Sequence, residues 1–208
     1  MSIRFAVFIY PGTEPIDLAT FGVLSMARRI DPEIQMHVVA ERAGEVALAN
    51  GLRVLADYGF DDWPGADVLI ITGGPGWPEQ SKHEPTLAFV QRAALSAKVA
   101  AVCTGGMILA ASGLLDGKQA TTKRRNVPPE KSPLALLKSM YPNVEVVETG
   151  WVDSGNVMTG GGVSLCIDAT LNLLKRFCGD SVATETAQII EYDRAYAANA
   201  GSFAKANE

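Results

Sequence analysis

Between Lys98 and Gly113 the chain reads KVAAVCTGGMILAASG, an order of residues that few folds accommodate. Val99-Ala100-Ala101-Val102 is a short apolar run of the kind that makes a fully buried strand. Cys103 stands where that strand ends, and Thr104-Gly105-Gly106 add little side-chain bulk. Met107, Ile108, Ala110 and Ala111 then take helical spacing, with Gly113 as a stop. A strand, a sharp small-residue turn and a helix, with a nucleophile at the corner, make a nucleophile elbow. In that geometry the first free N–H groups of the helix point at the sulfur and, with the helix dipole, favour a thiolate. The alternative is a buried structural thiol, the commoner fate of a lone cysteine. The flanking glycines favour the elbow, because an ordinary strand-to-helix turn has no need of them.

The rest of the composition fits an enzyme-sized α/β domain. A chain of 208 residues suits one domain, read here as residues 1–208 without linker or repeat, and is long enough for a three-layer core. Hydrophobic residues make up 48% and charged residues 20%, which sets disorder aside. The net charge of −5 argues against a nucleic-acid surface. The apolar run before Pro11-Gly12, Phe5 to Tyr10, is only six residues long, too short for a signal-peptide core or a membrane span. Cys103, Cys166 and Cys178 are odd in number and lack a disulfide spacing, which points to the reducing cytoplasm. His37 and His83 form no ligand-spaced cluster, so no metal is expected.

Strands and helices alternate along the chain. Ile3 to Tyr10 reads as a buried strand ended by Pro11-Gly12, and Ile16 to Ile30 as a helix with Asp17 in its first turn. Strands follow at Ile34 to Ala40 and, after an Asn50-Gly51 turn, at Leu52 to Ala56. Asp67 to Thr72 is the clearest central strand, closed by Gly73-Gly74-Pro75-Gly76. A helix over Pro85 to Ala97 leads into the strand that carries Cys103. After Gly113 the chain is irregular to Lys131. Ser132 then caps a helix over Leu134 to Tyr141, with Pro133 at its first position. Short strands are expected at Val144 to Val147, Trp151 to Asp153 and Val157 to Thr159. Gly160-Gly161-Gly162 precedes a long, largely apolar helix from Ser164 to Phe177. Gly179 ends it, Ser181 caps a last helix to about Tyr192, and the tail from Ala197 to Glu208 is expected to fray. Such alternation implies a mostly parallel sheet covered on both faces.

Sites in parallel sheets form beyond the carboxyl ends of the strands. Four segments should meet there: the elbow, the Gly73 to Gly76 turn, the Pro11 to Asp17 turn and the triple glycine. The Gly74 and Thr104 N–H groups are expected to form an oxyanion-type hole beside the sulfur, with Gly73 keeping side chains out of the way. Lys123-Arg124-Arg125 reads as a solvated loop, or as a mouth that gates an anionic substrate.

ITGGPG, AVCTGG followed by AASGLLDGKQATT, and VMTGGGVSLCIDATLNLL together closely resemble the PfpI superfamily. This is the glutamine-amidotransferase-like group that includes protein deglycases and isocyanide hydratases. The resemblance covers nearly the whole chain. It implies a flavodoxin-like three-layer sandwich, a homodimer, no cofactor, a small-molecule substrate, a nucleophile at Cys103 and an acidic partner at Asp17 in PIDLATF. An aspartate there resembles the hydratases, whereas deglycases carry glutamate. Glu14, before Pro15, is the competing residue and reads as a solvated turn. Many relatives place a histidine after ATT where this chain has Lys123, which counts against a Cys-His triad. The activity implied is isonitrile hydration, with Thr104 as a hydrogen-bonding neighbour and a Cys103 thiolate that shares one proton with Asp17 at neutral pH. Two alternatives stand beside it, a glyoxalase or deglycase acting on dicarbonyls and a non-enzymatic sensing domain like those of AraC-type regulators. An intact regulator would need roughly a hundred residues more.

Overall fold

The computed structural model describes residues 2–203. In chain order its strands are β1 (Ile3–Phe8), β2 (Ile34–Val39), β3 (Gly44–Ala47), β4 (Arg53–Ala56), β5 (Val68–Ile71), β6 (Lys98–Ala101), β7 (Gln119–Ala120), β8 (Glu145–Val146), β9 (Trp151–Asp153) and β10 (Val157–Gly160). The helices are α1 (Ala19–Ala27), α2 (Trp77–Gln80), α3 (Glu84–Ala93), α4 (Gly105–Ala111), α5 (Pro133–Met140), α6 (Leu165–Cys178), α7 (Asp180–Ile189) and α8 (Asp193–Phe203). Six strands form one sheet in the order β2-β1-β5-β6-β10-β9, parallel except where β9 meets β10. This is a flavodoxin-like α/β sandwich.

Period-two alternation builds its two cores. Phe5, Val7 and Ile9 pack on one face with Ile70, Met158 and the apolar sides of α1, α6 and α7. Ala6, Phe8 and Tyr10 point the other way, toward Leu69, Ile71 and residues of α3, α4 and α5. Successive strand side chains leave opposite faces, so a strand buried on both sides must be apolar at every position. In β5, with the sequence VLII, all four residues are buried. On the second face Phe60 stacks on Phe89 with ring centroids 4.2 Å apart, and Trp63 meets Phe89 edge-on.

Strand order decides where a site can form. The chain runs from β1 outward to β2, then returns to lay β5 on the other side of β1. The crevice of a doubly wound sheet opens at such a reversal, beyond the carboxyl ends of the strands. The segments after β1, β5, β6 and β10 all end there.

Several elements differ from the sequence reading. The helix expected from Ile16 begins as a 3-10 turn, Pro15–Leu18, becomes α-helical at Ala19 and ends at Ala27. The short β3 has no counterpart in that reading; it pairs with β4 through a turn in which Asn50 and Gly51 both have positive φ. The stretch from Gly113 to Lys131 holds β7, which pairs with β8, and the Gly76 turn leads into α2. Ser132 caps α5 as expected, its Oγ accepting from the Ala135 N–H. Ser181 caps nothing: Gly179, at φ 102°, precedes α7, and the Ser181 hydroxyl bonds Glu185 instead. From Ala197 to Phe203 the chain is helical, not frayed, while 204–208 lie outside the described residues. The anchor for α8 is buried Asp168 of α6, whose carboxylate accepts from the Tyr192 hydroxyl at 2.8 Å and from the Asn199 amide. The apolar residues of α6 face inward, with Leu171, Leu173 and Leu174 fully buried in the first core. They therefore give no separate reason for a dimer.

The stacked aromatics supply the first prediction. Phe89→Ala should lower the stability by about 3–5 kcal/mol, the range for emptying a fully buried aromatic site. Urea unfolding followed by circular dichroism measures it.

Candidate active site

The site begins with a residue in an unfavourable conformation. Cys103 has φ of 53°, in the left-handed region that a residue with a Cβ enters at a cost of about 1–3 kcal/mol. The turn lifts the side chain out of the sheet while its backbone is clamped. Its N–H donates to Gly161 O at 3.1 Å, and its carbonyl accepts from the Thr122 hydroxyl at 2.8 Å. Neighbouring glycines make the room. A Cβ on Gly73 would stand 2.5 Å from Thr104 N and 2.7 Å from the Cys103 Cβ. One on Gly105 would stand 2.4 Å from Ile71 O, and one on Gly162 3.0 Å from the Cys103 sulfur.

Asp17 is fully buried in the 3-10 turn after β1. Its Oδ2 accepts from the Gly73 N–H at 2.7 Å, while Oδ1 is buried without a conventional partner. The Cys103 thiol is the side chain that acts on this carboxylate and favours its charged form. The structure thus brings together Cys103, Asp17 and Gly73. Thr104 and Gly74 are adjacent but play other parts than expected. The Gly74 N–H donates to Thr104 Oγ1 at 2.9 Å, so it is not free to hold an oxyanion, and the Thr104 hydroxyl points back at the Gly74 carbonyl. The amides that bond the sulfur are those of Thr104 and Val163. Val163, at φ 61°, follows the triple glycine. The sequence reading places that turn in the site without singling out the residue. An amide's direction depends on backbone torsions that residue types alone do not fix.

The electrostatics also depart from the expected thiolate. Burial is the largest influence on Cys103, the charge of Asp17 comes next, and together they push its thiol up to about 12. The Val163 and Thr104 amides and the more distant Lys123 ammonium pull the other way and are outweighed. Burial likewise pushes Asp17 up to about 7, against the Gly73 amide and with help from Glu14. Between those two values the pair holds one proton, and at rest that proton sits on sulfur. Each group thus favours its protonated form, the thiol most strongly, where the sequence reading expects a thiolate.

A cavity of about 600 Å3 opens over the sulfur, lined by Ile16, Pro75, Trp77 and Val163 as well as by Glu14, Lys123 and Glu130. Glu14 is therefore more than a solvated turn residue. Lys123 leaves the solvated loop too: its Nζ bonds both Glu130 oxygens, at 2.6 and 2.7 Å. Arg125 stays exposed. Trp77, Glu130 and Tyr10 are absent from the sequence reading of the site. The Tyr10 hydroxyl is buried without a partner, and the charges of Asp17 and Cys103 both act on it. His37 packs on β2 and accepts from the Trp63 indole. His83 is half-buried at the start of α3, bonded to Thr86. Neither lines the cavity. Among the described residues no three His, Cys, Asp or Glu side chains could hold a metal, and no helix is long and apolar enough to cross a membrane.

The DJ-1/PfpI family profile matches residues 3–176. An isonitrile hydratase of Pseudomonas putida is 30% identical over 201 residues, covering 95% of this chain and 80% of that protein. The HTH-type transcriptional regulator GbdR of Pseudomonas aeruginosa is 25% identical over 188 residues; the match takes in 85% of this chain but 49% of the regulator, so the chain spans about half its length. A THiJ/PfpI family protein from Pseudomonas syringae superposes with a TM-score of 0.79 at 26% identity, over 93% of this chain and 76% of that one.

Asp17→Asn tests the electrostatics. In the unfolded chain Asp17 ionises above its ordinary 3.8, but in the folded protein only above about 7. Wild-type stability therefore falls across that interval, by a few kcal/mol at most. The Asp17→Asn variant should lack that slope and be the more stable protein above pH 7, as urea midpoints at several pH values will show. Removing the carboxylate charge should also lower the pH at which Cys103 ionises, read from thiolate absorbance.

Proposed function

Because the chain belongs to the DJ-1/PfpI family, we propose that it is a cysteine-dependent enzyme that hydrates isonitriles to N-substituted formamides. One observation carries the reading. A buried thiol stands beside a buried carboxyl raised to about 7, beneath a cavity lined in part by Ile16, Pro75, Trp77 and Val163. A carboxyl that titrates near neutral pH suits a group that must both take and return a proton.

The chemistry follows from the resting thiol. With Cys103 pushed up to about 12 by burial, the thiol rather than the thiolate is the resting form at pH 7. Attack is therefore coupled to proton transfer. Asp17 takes the thiol proton as sulfur bonds to the isonitrile carbon, and that carbon receives the proton, giving a thioimidate on Cys103. Water then adds to the same carbon while a proton passes to the substrate nitrogen. The carbon–sulfur bond breaks, the sulfur regains a proton through Asp17, and the formamide leaves. The Thr104 and Val163 amides steady the sulfur while it carries negative charge. Thr104 thus acts through its backbone, and its hydroxyl keeps the Gly73-Gly74 turn against the elbow.

The likeness to an HTH-type regulator supports a second reading, in which such a domain binds a small molecule without turning it over. A dicarbonyl could also accept the thiol, as in a glyoxalase. Incubation with isonitriles and with methylglyoxal, read for formamide and for lactate, separates the three. Wild-type protein should form formamide and Cys103→Ala none; wild-type rates in that variant would rule out covalent catalysis. The reading includes a homodimer, as is usual in the family. Sedimentation should show a dimer at micromolar concentration, and monomer alone would remove that part.

A further inference from the structure

The mouth of the cavity holds an ion pair that the reaction above does not use. Lys123 follows Thr121 and Thr122, both fully buried, so the base of its side chain is fixed. Its stem lies against Gly162: a Cβ there would meet Lys123 Cβ and Cγ at 2.7 Å and the Cys103 sulfur at 3.0 Å. The lysine stem and the reactive sulfur thus flank the same glycine. The ammonium group lines the cavity and is its only cation among the described lining residues. The lysine side chain is 19% exposed and that of Glu130 39%, so the acid is the outer member of the pair.

Glu130 reaches Lys123 from a short loop that folds back on itself. The Asn126 amide donates to the Glu130 carbonyl at 2.8 Å, and the Val127 N–H reaches its carboxylate at 3.4 Å. Val127, at the tip, is 75% exposed, so little apolar packing holds the loop down. The carboxylate it presents to Lys123 has both oxygens bound.

We propose that Lys123 is a specificity-determining residue that selects substrates bearing a carboxylate close to the reacting carbon, and that Glu130 fills the carboxylate position until such a substrate displaces it. Glu14 lines the same cavity and repels an anion. A ligand that takes over the ion pair escapes that penalty, because one carboxylate replaces another beside Lys123 and Glu130 moves out to water. A neutral substrate gains nothing from the exchange and leaves the pair closed. The inference rests on Cys103 as the nucleophile, but not on isonitriles as the substrate.

Alkylation of Cys103 tests it without turnover. The sulfur displaces iodide from iodoacetate, which carries a carboxylate, or from iodoacetamide, its neutral counterpart; a carbon–sulfur bond forms and a carbon–iodine bond breaks. Rates are followed by mass spectrometry on the Cys103 peptide, which sets Cys166 and Cys178 apart. The ratio of the two rates cancels changes in thiol ionisation or folding that affect both reagents alike. Lys123→Met should lower the iodoacetate-to-iodoacetamide ratio by about tenfold, the order expected for losing one charge-assisted contact. Glu130→Gln should raise it, since an amide competes poorly for the ammonium. An unchanged ratio in Lys123→Met overturns the proposal, and an unchanged or lower ratio in Glu130→Gln overturns the displacement. If the ratios move as stated while no isonitrile is hydrated, the proposed reaction fails and the carboxylate preference stands.

Discussion

The structure depends on one crowded junction, the turn that holds Cys103 at positive φ. A side chain in that conformation stays there only when its surroundings leave no alternative. Here they come from the ends of neighbouring strands. Gly73 after β5 lies under the Thr104 amide, Gly105 packs on the Ile71 carbonyl, Gly161 accepts the Cys103 N–H, and Gly162 leaves room for the sulfur. At Gly73, Gly105 and Gly162 a single added carbon would strike backbone, side chain or sulfur. The glycines of this junction thus serve a steric purpose beyond ordinary turn formation. Hydrogen bonds to the Gly161 carbonyl and from the Thr122 hydroxyl tie the strained elbow in place.

That junction also explains what the sequence could disclose. Continuous apolar runs at β1, β5 and β6, punctuated by glycine and proline, are strong signals because a strand buried on both faces tolerates little else. The pairing of Cys103 with Asp17 came from family resemblance, and the topology supplies its reason: β1, β5 and β6 are neighbours, so the segments after them converge. Three things stayed out of reach. The two-residue β7 and four-residue β3 owe their existence to tertiary pairing, too short for periodicity to reveal. α8 shows no strong apolar periodicity and is tied to α6, a whole helix away, by Asn199 to Asp168 and Tyr196 to Asn172. The Gly74 amide was aimed at the wrong acceptor, because two residues in one turn can send their N–H groups to different partners, here Asp17 and Thr104.

The resting thiol is the most consequential departure from sequence expectation. A cysteine beside a helix start is ordinarily read as a thiolate, since the dipole and the free amides favour negative charge. At Cys103 those amides are in place, yet burial opposes ionisation and outweighs them. Asp17 adds to the penalty while it is charged and relieves it once it is protonated. The low-dielectric pocket therefore disfavours two adjacent negative charges far more than it disfavours one. Burial therefore favours the protonated thiol at rest.

An electrophile that makes a bond to sulfur removes the thiolate charge as it forms, so the carboxyl meets a changing neighbour. While sulfur is anionic, Asp17 keeps its proton more tightly; once sulfur is bound to carbon, the like charge is gone and the proton is released more readily. A carboxyl so placed is a better acid or a better base according to the charge on the neighbouring sulfur, with no movement of backbone needed. Only a buried pair behaves this way, because solvent would screen the coupling between the two sites. The glycine-lined junction that strains Cys103 also buries the pair. Conformation and proton affinity at this site therefore have a single origin in the close approach of the strand ends.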